Sequence, residues 1–358
     1  MLILSIGENC LPGRVLQRFG INNTWSTPYT WARTNIFYAL MWEKEYYRDL
    51  LNKKYICKKS DSFFPELYRN IKYVDVREKD KFDKTVLEGF LFAHHNIIED
   101  DSHFESYLRK IDRMMQLRYS DEDILFIYHH RYVENDNNID AIVELGEQFI
   151  DIYRNRNRKC NIVIIKQKII QDGDSRKIVF EQYGKCYLCE FYTKNVWAGF
   201  ESGFVSGEID DDLFIDFFRK LYSMGVIENT LFLDNYQPSI YYYISNNSMK
   251  FYKTIVERLN IVADDHFYLW GAGQWGVAMA KYLLINNLCL TAIIDNNADY
   301  IDIPELAIPI LKWSDIKGSA KIFITVKNKA IIADIKKQIE SSKIETSIIT
   351  LEDIARGI

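Results

Sequence analysis

Residues 268–276 read Tyr268-Leu-Trp-Gly271-Ala-Gly273-Gln-Trp-Gly276, an apolar run that ends in three spaced glycines. In dinucleotide-binding loops of this G-x-G-x-x-G spacing, the first glycine permits a sharp turn and the second lets a pyrophosphate approach the backbone. The third lets the following helix pack on the strand. The phosphate then lies at the helix N-terminus, where unpaired N–H groups and the helix dipole favour an anion. Because the spacing alone is a weak signal, its surroundings decide what it means.

The surroundings of the loop have the alternation of strand and helix that such a site needs. An apolar run precedes the glycines, an amphipathic pattern follows them, and Thr291-Ala-Ile-Ile-Asp295 then predicts a strand that ends in an acid. A carboxylate at that position binds ribose hydroxyls. We expect strands at 266–270, 290–294, 321–326 and 346–350, and helices at 276–286 and 329–340. The sequence therefore predicts a Rossmann-like parallel-sheet domain whose cofactor-binding residues are Gly271, Gly273, Gln274, Trp275, Gly276 and Asp295.

The same segment resembles the nucleotide-sugar-binding domains fused to bacterial sugar acyltransferases and other polysaccharide enzymes. The resemblance rests on the Gly-Ala-Gly run at 271–273 and on the strand-end dipeptide Asp295-Asn296. It implies a nucleotide, a nucleotide-sugar or NAD(P) as the ligand. No hydride-transfer substrate domain is evident after the loop, which disfavours an ordinary dehydrogenase. The alternative is that the glycines only form a tight turn in a docking domain that has lost its ligand.

The length and the net charge of the chain limit the number of domains and the kind of partner. A chain of 358 residues is longer than one hydrophobic core usually supports, and the best boundary lies between Ser245 and Asp265. We therefore predict a doubly wound α/β domain over 1–248 and the Rossmann-like domain over 249–358. The net charge of −5 and the dispersed basic residues disfavour nucleic acid as a partner.

No apolar run is long enough to cross a bilayer and no signal peptide is visible, so we expect a cytoplasmic protein without a transmembrane segment. The six cysteines are scattered, which predicts free thiols rather than a disulfide framework or a metal site.

Cys10 is the first candidate for chemistry. The apolar run 2–6, the turn Gly7-Glu-Asn-Cys10 and the pattern that continues to Phe19 predict a strand, a turn and a helix. A thiol at the head of a helix is near the positive end of the helix dipole, which favours the thiolate. A nucleophilic cysteine also needs a base, and the candidates are His94, His129 and His130, the last two at the end of a predicted strand. The alternative is that Cys10 is a small buried core residue.

The surrounding motifs resemble a bacterial family of papain-like cysteine peptidases. They are Ser5-Ile-Gly-Glu-Asn-Cys10, Leu16-Gln-Arg-Phe-Gly20, Pro28-Tyr-Thr-Trp31 and Phe92-Ala-His94. Tyr29-Thr30 and His95-Asn96 depart from that family, which usually has Phe-Asp and Asp-Phe at these places. The Gly-x-Asn-Cys turn is also similar to that of papain-like acetyltransferases of capsule biosynthesis, which bind coenzyme A.

These resemblances imply a papain-like N-terminal domain with Cys10, His94, His129 and His130 as catalytic residues and with Asn9 and Trp31 as substrate-binding residues. We expect an acyltransferase that uses a coenzyme A ester, most simply acetyl-CoA, to modify a sugar or nucleotide-sugar in surface-polysaccharide or glycan biosynthesis. The alternatives are a cysteine hydrolase and a noncatalytic nucleotide-sugar-binding scaffold. The sequence is compatible with assembly into a homo-oligomer.

Overall fold

A computed structural model describes residues 1–7, 10–21, 26–30, 32–59, 67–74, 89–92, 95–130, 139–154, 158–171, 173–194, 196–197, 205–234, 236, 238–246, 248–262 and 265–355. The chain divides into two compact units, Met1–Tyr236 and Gln237–Ile358. The sequence predicts the boundary after residue 248, whereas the structure places the helix Ile240–Asn246 in the second unit. Two side chains of that helix, Ile240 and Tyr243, are buried in the second unit's core.

The first unit contains a five-stranded sheet and a smaller antiparallel sheet. Its strands are β1 (Leu2–Gly7), β2 (Ile56–Lys59), β3 (Leu67–Asn70), β4 (Phe90–Phe92), β5 (Ile124–His130), β6 (Cys160–Ile169), β7 (Lys177–Tyr183) and β8 (Cys186–Thr193). Its helices are α1 (Leu11–Arg18), α2 (Ile36–Lys44), α3 (Asp101–Leu117), α4 (Ile139–Asp151) and α5 (Asp211–Ser223). The order in the large sheet is β1-β5-β6-β8-β7, and β2-β3-β4 form the small one.

The large sheet is parallel except at one edge, where β7 runs antiparallel to β8. Both of its faces are covered. Apolar side chains of α1 and α5 pack on one face, with Ile127 and Val163 at its centre. Side chains of α2 and α4 pack on the other face, around Phe126 and Ile164. Because the parallel strands β1, β5, β6 and β8 are buried on both sides, they are nearly continuous apolar runs, as is usual for parallel sheets.

Two local features differ from what periodicity predicts. A helix is expected over 35–54, but α2 ends at Lys44 because Tyr46, Tyr47 and Asp49 have positive φ angles of 53°, 57° and 68°. The turn places the hydroxyl of Tyr47 so that it donates to the buried carboxylate of Glu43. This hydrogen bond helps to offset the cost of the unusual backbone. Periodicity predicts a strand over 186–192, which is β8, but no strand over its partner β7, whose alternating pattern is weak.

The second unit has a single parallel sheet, which confirms the α/β class. Its strands are β9 (Phe267–Trp270), β10 (Ala292–Ile294), β11 (Ile310–Leu311), β12 (Ala320–Ile324) and β13 (Thr346–Thr350). Its helices are α6 (Ile240–Asn246), α7 (Ser248–Leu259), α8 (Gln274–Ile285), α9 (Lys329–Glu340) and α10 (Leu351–Ala355). The sheet order is β11-β10-β9-β12-β13. Helices α6, α7, α8 and α10 cover one face and α9 covers the other.

Across the described part of the chain, none of the helices is both long and apolar enough to cross a membrane.

Candidate functional site

In the second unit, the point where the chain changes face lies between β9 and β12. These strands are neighbours, yet the helix after β9 packs on one face of the sheet and the helix after β12 packs on the other. In open parallel sheets such a change leaves a crevice outside the carboxyl ends of the two strands, and ligands bind there. The glycine loop 271–273 follows β9 and residues 325–328 follow β12, so these two segments border the position of such a crevice.

Two of the three glycines are required by close backbone approach. Gly271 has a φ of 114°, a region that side chains rarely adopt, and its N–H donates to the carbonyl of Ile294 at 2.8 Å. A Cβ on Gly276 would lie 1.7 Å from the carbonyl oxygen of Gly271. Helix α8 can therefore begin directly against the loop only because residue 276 has no side chain. These are the turn and the packing roles that the spacing predicts for the first and third glycines.

Gly273 is different because a Cβ there would meet no atom within 4 Å. It is the N-cap residue of α8, and no side chain caps that helix end. The start of α9 contrasts with it, because the side chain of Asn328 accepts the N–H groups of Ala330 and Ile331. At α8 no capping side chain takes the first-turn N–H groups, which are the groups that bind an anion at a helix N-terminus.

Asp295 has a role that the sequence did not predict. One carboxylate oxygen accepts the N–H of Ala272 at 2.8 Å and the other accepts the N–H of Asn297 at 2.9 Å. The side chain therefore ties the end of β10 to the glycine loop and orients the loop backbone. The neighbouring Asn296 forms a reciprocal amide pair with Gln338 of α9, at 3.1 and 3.2 Å.

The residues that follow β12 contact the glycine loop, and the glycine motif does not predict these contacts. The hydroxyl of Thr325 is 3.0 Å from the carbonyl of Trp270 and 3.2 Å from that of Gly271, so it fixes the start of the loop. The ammonium of Lys327 lies 5.7 Å from the centroid of the Trp275 ring. The available signal was the polar residues Thr325, Lys327 and Asn328 directly after an apolar strand, since strand ends of this kind line ligand crevices.

The first unit has an equivalent change of face between β1 and β5. These strands pair in parallel with Gly7 opposite His129, while α1 packs on one face of the sheet and α4 on the other. Cys10 is the N-cap residue of α1 and is partly exposed. The structure thus brings the Cys10 turn and the His129-His130 pair to the same edge of the sheet. The candidates Asn9, Trp31 and His94 lie outside the described residues.

His129 and His130 point to opposite faces because side chains alternate along a strand. The ring of His129 is fully buried 5.8 Å from the Trp197 ring, on the face that α1 and α5 cover. The ring of His130 lies 6.4 Å from that of Tyr128, on the opposite face. Of the two, His129 therefore shares a face with the helix that Cys10 begins.

The turn 27–30 packs against the start of α1, next to this edge. The hydroxyl of Thr27 donates to the carbonyl of Ser5 at 3.3 Å, and its N–H donates to the hydroxyl of Thr30 at 2.9 Å. Thr30 thus supplies a side-chain acceptor at the place where the resembling family usually has Asp. Gly13 permits the contact with α1, since a Cβ there would lie 3.1 Å from the carbonyl of Thr30.

Tyr29, which stands where that family usually has Phe, belongs to a buried polar cluster. Its hydroxyl donates to the carboxylate of Glu43 at 2.8 Å, and Arg118 donates to the other oxygen of that carboxylate at 2.6 Å. Burial, reinforced by the nearby carboxylate, raises the pKa of Tyr29 well above its usual value. The phenol therefore stays protonated and serves as a structural donor.

A second buried polar cluster lies near the ends of β6 and β8. Gln167 bridges them, because its amide nitrogen donates to the hydroxyl of Thr193 at 2.8 Å and its oxygen accepts the N–H of Trp197 at 3.0 Å. The indole of Trp197 donates to Asp210 at 2.6 Å. Burial raises the pKa of Asp210, and the adjacent Arg176 opposes that rise. This cluster supports the strand ends from the face that carries His129.

No group of three or more His, Cys, Asp and Glu side chains in the described ranges is placed to hold a metal ion. Comparison of the chain with protein-family models, with curated proteins and with solved structures found no match.

Proposed function

We propose that the second unit binds a nucleotide or nucleotide-sugar through the crevice between β9 and β12. One observation carries this proposal: the uncapped start of α8 opens at Gly273 into unobstructed space at the point where the chain changes face. Numbered within the unit, the sheet order β11-β10-β9-β12-β13 is 3-2-1-4-5, the order typical of Rossmann folds. A phosphate at this helix end would take the first-turn N–H groups and gain from the helix dipole.

The roles of the three glycines and Asp295 follow from their contacts. Gly271 and Gly276 let the loop and helix approach each other, and Gly273 leaves room for the phosphate. Asp295 holds the loop through the Ala272 N–H, and each carboxylate oxygen keeps a lone pair that can accept a ribose hydroxyl. Gln274 and Trp275 would supply backbone donors, since they are the first two residues of α8.

A thermal-shift panel tests this part of the proposal. UDP-, GDP- and CMP-sugars, NAD(P) and CoA esters are compared, because a ligand that binds only the folded state raises its apparent stability. We expect a shift with at least one nucleotide and its loss in Gly273→Val, whose side chain would occupy the open space. The variant should melt like the wild type without ligand, since nothing lies within 4 Å of the new Cβ. Equal nucleotide shifts in both proteins would contradict the proposed location.

We further propose that the first unit transfers an acyl group from a coenzyme A thioester to a sugar hydroxyl, in the synthesis of a surface polysaccharide or another glycan. The proposal is supported by the partly exposed Cys10 at the head of α1, beside the strand end that carries His129 and His130. The motifs that resemble papain-like acetyltransferases point to the same chemistry.

In this reaction the Cys10 thiolate attacks the thioester carbonyl, the bond to the coenzyme A sulfur breaks, and coenzyme A leaves as a thiolate that takes up a proton. The sugar hydroxyl then attacks the Cys10 thioester, its proton passes to an imidazole, and the Cys10 thiolate departs. His129 is buried on the face of α1, so we assign it the proton of the Cys10 thiol. His94 and His130 are the candidates that receive the proton of the acceptor.

Release of coenzyme A from acetyl-CoA in the presence of candidate sugars and nucleotide-sugars tests this reaction. We expect release that is lost in Cys10→Ser and retained in Cys57→Ser, a matched control because Cys57 is also a partly exposed free thiol. Equal rates in the two variants would refute a role for Cys10. If Cys10-dependent hydrolysis of peptide amides is found instead, without coenzyme A release, the chain is a cysteine hydrolase. If neither activity depends on Cys10 while nucleotides bind, the chain is a noncatalytic scaffold.

A further inference from the structure

The β9/β12 crevice contains a lysine and a tryptophan that face each other from its two walls. Lys327 follows β12, and its ammonium lies 5.7 Å from the centroid of the Trp275 ring. Trp275 is the second residue of α8, so the ring belongs to the first turn of the helix that opens at Gly273. The contact therefore places a positive charge beside the helix end at which we propose that a phosphate binds.

The packing of the two loops fixes this placement. A Cβ on Gly271 would lie 2.8 Å from a methyl group of Val326, so the backbone before Lys327 is in direct contact with the glycine loop. Thr325 adds the hydroxyl contacts to the carbonyls of Trp270 and Gly271. Lys327 thus projects from a segment that the glycine loop itself positions, although the two are far apart in the sequence.

The charge of Lys327 is available to a ligand. Among the residues that the structure describes, no carboxylate forms an ion pair with it, whereas the ammonium of Lys329, two residues later, lies 3.9 Å from Glu352. A cation over an aromatic face at an exposed site is held only weakly, and its N–H donors stay free to bind other groups. An incoming phosphate oxygen can therefore bind the ammonium while the indole keeps it over the crevice.

We propose that Lys327, positioned by Trp275, binds a second phosphate next to the one at the start of α8, so that the crevice selects nucleoside diphosphates and their sugar esters over monophosphates. This inference rests on the proposed nucleotide-binding function and deepens it. Two separate groups for anions, the first-turn N–H groups of α8 and the ammonium of Lys327, border one crevice. A ligand with two adjacent phosphates uses both groups, while a monophosphate uses one.

Calorimetric titration of the full chain with three ligands tests the selectivity. The ligands are pyrophosphate, the tightest binder among UDP, GDP, ADP and CDP, and the matching monophosphate. Lys327→Met should weaken the two diphosphate ligands by about tenfold or more, the usual size of a charge-assisted contact, and the monophosphate by less than about threefold. Lys329→Met makes the same change of net charge two residues away and should leave all three affinities within about twofold.

Trp275 is tested through a graded pair of substitutions. Trp275→Leu should weaken diphosphate binding by about two- to fivefold because the ammonium loses its aromatic support, and Trp275→Phe should restore most of the loss. A purely structural role of the indole would lower mono- and diphosphate affinity alike in both variants.

The outcomes separate this inference from the proposed function. If the wild type binds nucleotides and Lys327→Met binds diphosphates as tightly as the wild type, the inference fails and nucleotide binding stands. If Lys327→Met loses the same factor for mono- and diphosphates, the selectivity is refuted. If pyrophosphate binds the wild type but not Lys327→Met, and no nucleotide binds either protein, the lysine is a site for inorganic anions and both the proposed function and the inference fail. If the wild type binds neither, both fail.

Discussion

Replacing Gly276 by alanine should destabilise the second unit because the new methyl group has no room. Its Cβ would lie 1.7 Å from the carbonyl oxygen of Gly271, 2.9 Å from the carbonyl carbon and 3.0 Å from the Thr325 hydroxyl. The first two neighbours are backbone atoms that cannot rotate away, so the helix and the loop must separate. Forced backbone shifts usually cost about 1–3 kcal/mol, and we expect the upper end, about 3 kcal/mol. For a unit of this size that lowers the melting temperature by roughly 10 °C.

Gly273→Ala is the matched control, since it adds the same methyl group to the same loop. The φ of Gly273 is −72°, which alanine adopts readily, and no atom lies within 4 Å of the new Cβ. The change in free energy of unfolding should stay within about 1 kcal/mol, because the weaker N-cap and the stiffer unfolded chain oppose each other.

Differential scanning calorimetry of the full chain without ligand measures both variants. The expected result is a large downward shift of one transition in Gly276→Ala and little shift in Gly273→Ala. If Gly276→Ala melts within about 2 °C of the wild type, the close approach of the helix to the loop is wrong. If both variants lose the same stability, the two glycines do not have the separate roles assigned to them here.

Three further predictions concern the first unit and the thiols. Glu43→Ala should destabilise the first unit by about 3–5 kcal/mol in urea unfolding, because Arg118, whose side chain is 8% exposed, would lose the carboxylate that it pairs with. A loss below about 1 kcal/mol would contradict the ion pair. Burial lowers the pKa of Lys110 to about 8, and the positive charges of Arg113 and Arg109 add to the effect. The pKa of a lysine in the unfolded chain is about 10.4. Between these two values the unfolded chain binds more protons than the folded one, so the free energy of unfolding rises with pH. The free energy of unfolding should therefore rise from pH 7 to 9.5 more steeply in the wild type than in Lys110→Met, and equal slopes would refute the lowered pKa. Burial also raises the pKa of Cys160 and of Cys186 to about 12 and that of Cys189 well above its usual value. A thiol reagent at pH 8 should therefore label only the three partly exposed cysteines of the native chain, which are Cys10, Cys57 and Cys289. After unfolding it should label all six cysteines. Rapid native labelling of any of the three buried thiols would contradict the packing of the first sheet.

Local sequence patterns predict much of the secondary structure of the second unit. The apolar run before Gly271, the glycine spacing and the helical pattern after it specify a strand, a turn and a helix within one short stretch, and the structure has these elements there. Helix α2 shows the limit of such reasoning. Its apolar pattern continues past Lys44, but the helix ends there and the chain turns so that side chains contact the buried carboxylate of Glu43. No local pattern predicts that Arg118, far away in the sequence, will donate to this carboxylate.

By itself the sequence determined the α/β class, the turn at Gly271 with the close packing at Gly276, and Cys10 at the head of a helix, because each depends on residues within one turn or one strand of each other. Only the tertiary structure decided which strands are neighbours, and parallel pairing joins segments that are far apart in the chain: Thr325 contacts the carbonyl of Trp270, 55 positions earlier. That pairing places Lys327 over Trp275, turns His129 toward the face of α1 and His130 away from it, and directs the carboxylate of Asp295 to the glycine loop. These are distances between separate elements, and they exist only once the sheets have assembled.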